Sequence, residues 1–210
     1  MKKEKTIEIS GVGGQSPTNG GKETIQNGHP YCVEVTLQGV CPLLFHRWNC
    51  EAVQEKADAP KGSKSKKTDN LESYVYRDEN NEISIPSTYL RGALLEQAKF
   101  IQDPRSPRKC AKDLFKAGIL QLTPLASIGK TTWDFVNKAR VVVQRNAITR
   151  SWPAFNEWKA TFVMMSILPE YISPTLLHEA LIGAGKLQGF GDFRPTYGRF
   201  QVVKFKVLTE

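Results

Sequence analysis

Long hydrophobic runs are missing from the 210 residues: none approaches the roughly 18 apolar positions that a membrane-spanning helix needs. The opening stretch, MKKEKTIEIS, carries no apolar segment of the kind an export signal uses, so a cytoplasmic protein without a membrane partner is expected. Cysteine is scarce. Cys32, Cys41, Cys50 and Cys110 form no C-x-x-C pair and have no histidine at zinc spacing, which points to free thiols rather than a disulfide framework or structural metal. No Ser/His/Asp arrangement can be read around the three histidines. GVGGQS at 11–16 lacks the Lys-Ser/Thr ending and preceding buried strand of a nucleotide-binding loop. Neither a cofactor nor a metal is therefore expected. Acidic residues are the minority: 21 Asp and Glu against 29 Lys and Arg leave a net charge of +8, which favours phosphate-bearing partners without deciding the fold.

Two stretches are too polar to belong to a core. Residues 1–29 mix Gly, Lys, Ser, Thr and Gln with almost no apolar content and read as a flexible N-terminal arm. A second polar stretch, at about 48–72, carries Lys61, Lys64, Lys66 and Lys67 among Gly and Pro. It separates two apolar segments too far apart for an ordinary connection, so it reads as an insertion into a single domain spanning 30–210.

Periodicity supplies the rest. YCVEVTLQGV alternates Tyr31, Val33, Val35 and Leu37 with polar residues and predicts a strand. IPSTYLRGALLEQAKFI predicts a helix capped by Ser87 or Thr88, with Leu90, Ala93, Leu94, Gln97, Ala98 and Ile101 in one stripe. RSPRKCAKDLFKAGI predicts a short second helix closed by Gly118. KARVVVQRNAI and EWKATFVMMSIL predict strands joined through TRSWPAFN as a long hairpin. ISPTLLHEALIGAG predicts a helix opened by Ser173 and Pro174 and stopped at Gly185. RFQVVKFKVL predicts a last strand, where adjacent Val202 and Val203 signal a bulge or burial on both faces. The order β-α-β-β-α-β predicts an α+β fold: a ferredoxin-like, RRM-like βαββαβ core with a four-stranded antiparallel sheet, insertions after the first strand and first helix, and a long hairpin.

Two motifs go further. IPSTYLRGAL (85–94) resembles the helix entry of the RAMP superfamily of CRISPR-associated proteins, and LIGAGKLQGFGDFRPTYGRFQV (181–202) resembles that superfamily's glycine-rich loop between last helix and last strand. Within it the chain is most similar to the effector backbone subunit, the Cas-seven family. The resemblance implies a non-catalytic protein that polymerises head to tail along guide RNA (crRNA) and presents it to complementary target nucleic acid beside other CRISPR effector subunits. It also implies a hairpin thumb, for which 141–158 and the insertion at 46–72 both qualify. An alternative within the superfamily is an RNA-processing endoribonuclease with His46 as general base for a ribose 2′-hydroxyl. A third reading is a stand-alone single-stranded nucleic-acid binder.

Candidate RNA-binding residues follow. Gly185, Gly189 and Gly191 would let backbone N–H groups approach phosphate, with Lys186, Arg194 and Arg199 supplying charge and Phe190, Phe193 and Tyr197 offering faces to bases. The plainer reading makes Gly185 a helix cap and Gly198 a bulge. Asp192 is expected to orient Arg194. Arg91, at a helix start, is either a phosphate ligand or a solvated arginine, and Arg47 joins His46 after the first strand. Arg140, Arg145 and Arg150 are five apart, so along an extended strand they alternate faces. Trp152 and Phe155 are either wedges between base pairs or packing groups.

Overall fold

The computed structural model describes residues 29–60, 70–143 and 145–208. All of the expected N-terminal arm except His29 lies outside them, as do Lys61, Lys64, Lys66 and Lys67 of the insertion. In chain order the elements are β1 (Tyr31–Gly39), β2 (Leu43–Leu44), α1 (Cys50–Asp58), β3 (Ile83–Pro86), α2 (Ser87–Gln97), α3 (Lys112–Gly118), β4 (Ile119–Gln121), β5 (Leu125–Lys130), β6 (Phe135–Val143), β7 (Asn146–Phe155), β8 (Lys159–Ser166), α4 (Pro174–Gly183) and β9 (Phe200–Leu208).

The result is a mixed α+β protein on antiparallel sheets, the largest a four-stranded sheet in the order β4-β8-β1-β9. In β1, Tyr31, Val33, Val35 and Leu37 are buried on one side, where Ala160, Phe162 and Met164 of β8 join them. Leu90, Ala93 and Leu94 of α2 and Leu177, Ala180 and Leu181 of α4 belong to the same cluster. Each fully buried leucine contributes about 1.5–3 kcal/mol, so this stripe-to-sheet contact is what holds both helices down. Ser173 caps α4 by accepting from the Leu176 N–H, and Pro174 follows it at the first helical position, as predicted. The bulge is present too: Leu37 pairs with Val202 and Thr36 with Lys204, leaving Val203 as the extra residue.

Several elements differ from expectation. The strand added beside β8 is β4, only three residues long, and not KARVVVQRNAI. That segment runs from β6 through the turn into β7, and TRSWPAFN supplies the rest of strand β7 rather than a connection; proline, which lacks a ladder donor, disguised it. The two form the long hairpin, in a separate sheet ordered β2-β7-β6. β3 and β5 make a further two-stranded sheet with no counterpart in the sequence reading. Inside the polar stretch, Asn49 accepts from the Glu51 and Ala52 N–H groups and starts the nine-residue α1. Asp103 N–H to Lys109 O and a Gln102–Cys110 bridge shape a loop where the second helix was expected to begin, so α3 is confined to Lys112–Gly118.

Candidate nucleic-acid interface

The β6–β7 ribbon pairs continuously from Phe135↔Ala154 to Val143↔Asn146. Pleating divides it into two faces: Ala139 and Val141 lie with Trp152, Arg150 and Ile148, whereas Lys138 and Arg140 lie with Ser151 and Thr149. Arg140 and Arg150 therefore point to opposite sides, whereas ten positions along one extended strand would give them the same face; the turn between them places them on paired strands, out of step by one residue. Beyond the base, Arg140, Val142, Ala147, Ile148 and Thr149 are exposed, and Arg145 turns the chain at a φ of 67°.

The base itself is locked. Trp152, 1% exposed, packs with Leu44, Ala154, Ala139, Val141 and Tyr197. Its Nε1–H donates to Asp192 Oδ2 at 2.7 Å, and Phe193 meets its ring edge-on at 4.9 Å. Phe155 is fully buried, edge-on to Phe45 at 5.3 Å. Both residues considered as wedges are thus packing groups, because the indole and phenyl faces are already covered by the chain's own side chains.

The glycine-rich segment also corrects the sequence reading. α4 runs into a π turn, Ala184–Gln188, and ends at Gly189, whose φ of 63° lets its N–H donate to Ala184 O at 2.9 Å. Gly189, not Gly185, is the terminator; at Gly185 a Cβ would run into the carbonyl of Phe200. Several amides of the expected phosphate cradle are committed inside the protein. Those of Phe190, Asp192 and Gly198 donate to the carbonyls of Gly198, Leu44 and Pro42 at 3.0, 2.9 and 2.9 Å, and the Arg199 N–H donates to Cys41 Sγ at 3.1 Å. A Cβ on Gly191 would meet the Leu44 carbonyl. These glycines serve close backbone approach, so the segment's capacity for phosphate lies in its side chains. Lys186 and Arg194 are exposed; Arg199 is too, with its Nε–H donating to Pro195 O at 2.8 Å. Phe190 is buried between Trp158 and Phe200 and offers no face to a base, whereas Phe193 is 39% exposed.

Three segments that the sequence presents separately converge on an open pocket of about 240 Å³, lined by His46, Thr88, Tyr89, Gly92, Phe190, Gly191, Asp192 and Arg194. His46 Nδ1 lies 3.6 Å from Asp192 Oδ2, and its ring is edge-on to Tyr74 at 4.6 Å. Asp192, expected to orient Arg194, is held instead by Trp152 and faces His46. Burial, then the neighbouring Tyr76, pushes the Tyr89 phenol well above its ordinary range and keeps it neutral. α2 starts after Pro86 with no side-chain cap, so neither Ser87 nor Thr88 caps it; the Ser87 N–H donates to Pro124 O at 2.9 Å.

Arg47 is exposed, its guanidinium 5.0 Å from the centre of the Tyr76 ring. Arg91 donates to Lys116 O at 2.8 Å and Ile119 O at 3.3 Å, capping the negative end of α3. It ties α2 to α3 rather than facing solvent as a phosphate ligand. Thr88, Tyr89 and Gly92 are site residues that the sequence reading passed over. The available signal was Gly92, a glycine inside a helix with no turn to make. Among the described residues no group of three or more His, Cys, Asp or Glu is placed to hold a metal, and no helix is long and apolar enough to cross a membrane.

No protein-family model and no curated protein matches this chain. Its fold is similar to that of a solved chain in the cryo-EM structure of the Type III-B Cmr-beta bound to cognate target RNA, with a TM-score of 0.54 at 12% identity. The likeness covers 86% of this chain and 61% of that one, and at this identity it is a likeness of fold.

Proposed function

We propose that this chain is a CRISPR-associated RNA-binding protein of the RAMP superfamily, a backbone subunit that lies along guide RNA and presents it to complementary target nucleic acid in the cytoplasm. The reading takes residues 30–210 as one unit with an insertion at about 48–72. It treats β1, α2, β4, β8, α4 and β9 as a ferredoxin-like βαββαβ core, for which the spatial order β4-β8-β1-β9 is the support.

One observation carries the function: the β6–β7 ribbon bears cations on both faces, Lys138 and Arg140 on one and Arg150 on the other, with Arg145 at the turn. A ribbon of that kind fits a polyanion strand that passes it on either side. The similarity of fold to a chain from an RNA-bound effector complex adds support. In this role the ribbon is the thumb. Val142 and Ile148, 68% and 38% exposed, take over from Trp152 and Phe155 as the apolar groups that meet bases or an adjoining copy. Lys186, Arg194, Arg199 and Arg47 extend the cationic surface beyond it.

Fluorescence anisotropy with single-stranded RNA tests this across a salt series. Replacing Lys138, Arg140 and Arg150 by Glu is expected to weaken binding more than about tenfold and flatten the log–log salt slope by about 0.7 for each phosphate that is no longer neutralised. Unchanged affinity and slope would remove the ribbon from the interface.

A second reading is favoured by the approach of His46 to Asp192 beside Arg194. There His46 takes the proton of a ribose 2′-hydroxyl, the 2′-oxygen bonds to phosphorus, and the 5′-oxygen leaves with a proton from water, giving a 2′,3′-cyclic phosphate. End-labelled RNA decides it: cleavage by the wild type that His46→Ala abolishes supports this reading, and intact RNA after prolonged incubation dismisses it.

A further inference from the structure

Gly92 occupies an interior position of α2, where glycine is less favourable than alanine by about 1 kcal/mol. Gly189, nearby, is demanded by contact: a Cβ there would strike the backbone at Gly198, at a φ of 63°. At Gly92 a Cβ would meet nothing within 4 Å, and Gly92 is itself part of the pocket wall. Packing supplies no reason for glycine there. An occupant of the pocket does.

The lining says what that occupant is. Arg194 is exposed at one wall, and His46 stands at another with its Nδ1 turned to Asp192. Thr88 adds a hydroxyl, and the first turn of α2, which no side chain caps, opens on the same space. Asp192 is the one carboxylate present. Its Oδ2 already accepts from Trp152 at 2.7 Å and its Oδ1 from the Phe193 N–H at 2.9 Å, which disperses its charge and lessens repulsion of an incoming anion. At about 240 Å³ the pocket is smaller than the roughly 300 Å³ at which drug-sized sites begin. Phe190 contributes to the wall from a buried position and leaves no open aromatic platform for a base.

We infer that the pocket between His46, Thr88, Gly92 and Arg194 seats a single phosphate group of a nucleic-acid strand, with sugar and base outside, and that Gly92 keeps it open. The inference rests on the RNA-binding reading for the identity of the strand. The shared chemistry is phosphate, from an internal diester or from a strand terminus.

Calorimetric titration of the full chain with inorganic phosphate, 5′-AMP and adenosine tests it. Phosphate and 5′-AMP are expected to bind and adenosine not to. Gly92→Leu, which fills open space with a better helix former, and Arg194→Ala are each expected to weaken 5′-AMP by at least about tenfold. Gly92→Leu should melt at or above the wild-type temperature, so that loss of binding is not loss of fold. Adenosine binding as well as 5′-AMP, or 5′-AMP affinity untouched by Gly92→Leu, overturns the inference. Oligonucleotides with and without a 5′-phosphate then assign the source: preference for the phosphorylated strand marks a terminal monoester, and equal binding that Gly92→Leu weakens marks an internal diester. Phosphate binding that follows this pattern in a protein that ignores RNA would sink the RNA reading and leave the pocket standing. RNA binding that depends on the ribbon, with phosphate indifferent to the pocket variants, would do the reverse.

Discussion

A Cβ added at Gly198 would lie inside the carbonyl of Phe190, at a φ of 74° that L side chains rarely adopt. Gly198→Ala therefore combines backbone strain with a clash against a rigid neighbour, and about 2–4 kcal/mol of stability should be lost. Gly92→Ala is the opposite case: a negative-φ helical site with room for a methyl group, expected to gain up to about 1 kcal/mol. Urea denaturation midpoints of the two variants, moving apart in opposite directions, are the measurement. At the same scale, Asp103 is 3% exposed and accepts from the Arg105 backbone N–H and guanidinium at 2.9, 3.0 and 2.7 Å. The Arg105 side chain, then its N–H, holds the Asp103 carboxyl down at about 2. The folded chain thus binds fewer protons here than the unfolded one, whose carboxyl titrates near ~3.9, and the stabilisation is complete above that value and lost as pH falls through the folded one. The melting-temperature gap between wild type and Asp103→Asn should stay constant down to about pH 5 and close towards pH 2. A gap that persists unchanged at the acid end would contradict the assignment.

Elements with a strong period and a buried face were legible in the sequence. β1 and β8 alternate, and α2 and α4 carry apolar stripes, so their burial pattern is written in residue type. β4 was not legible: three residues, Ile119–Gln121, directly continue a helix and give no room for alternation to show. The hairpin was legible as a hairpin but misplaced, because Trp152-Pro153 reads as a turn when seen without its partners. In the structure those residues lie in β7, where Trp152 is clamped by Asp192, forty positions away. The candidate site was legible in pieces only. The segments around His46, Gly92 and Arg194 each carry a local signal, but their convergence depends on tertiary packing that no local period encodes. The roles of the glycines shifted for the same reason, since whether an amide is free is decided by which carbonyl lies opposite. The ribbon's separation of base from tip gives a prediction. Removing Arg140–Thr149 and joining Ala139 to Arg150 through Asn-Gly, a favoured two-residue hairpin turn, keeps the Trp152–Asp192 bond. The melting temperature should fall by only a few degrees, since Val141 is the one described residue of the excised part that packs on the Trp152 cluster, while RNA affinity drops. A protein that unfolds on this excision would show that the distal ribbon is part of the core.

Assembly is a property of the whole molecule. A net charge of +8 makes copies of the chain repel, and the repulsion is long-ranged at low salt, where the screening length exceeds about 10 Å. A polyanion reverses the sign of that term: each phosphate neutralised by Lys138, Arg140, Arg150 or Arg194 lowers the charge that neighbours present to one another. Head-to-tail contacts do not close on themselves, so once charge is offset the number of copies is set by strand length and not by symmetry. If the chain is a backbone subunit, light scattering should find a monomer without RNA at low and moderate salt, and with RNA a mass that climbs in equal steps as the strand is lengthened. The Glu variants of the ribbon should stop the climb by releasing RNA. On that reading, substitution of Val142 and Ile148 by Ser should leave the first copy bound and weaken the addition of the next, as exposed apolar side chains set against the adjoining copy would require. One copy per strand at every length, with full affinity, would leave a stand-alone single-stranded binder and take away the polymer.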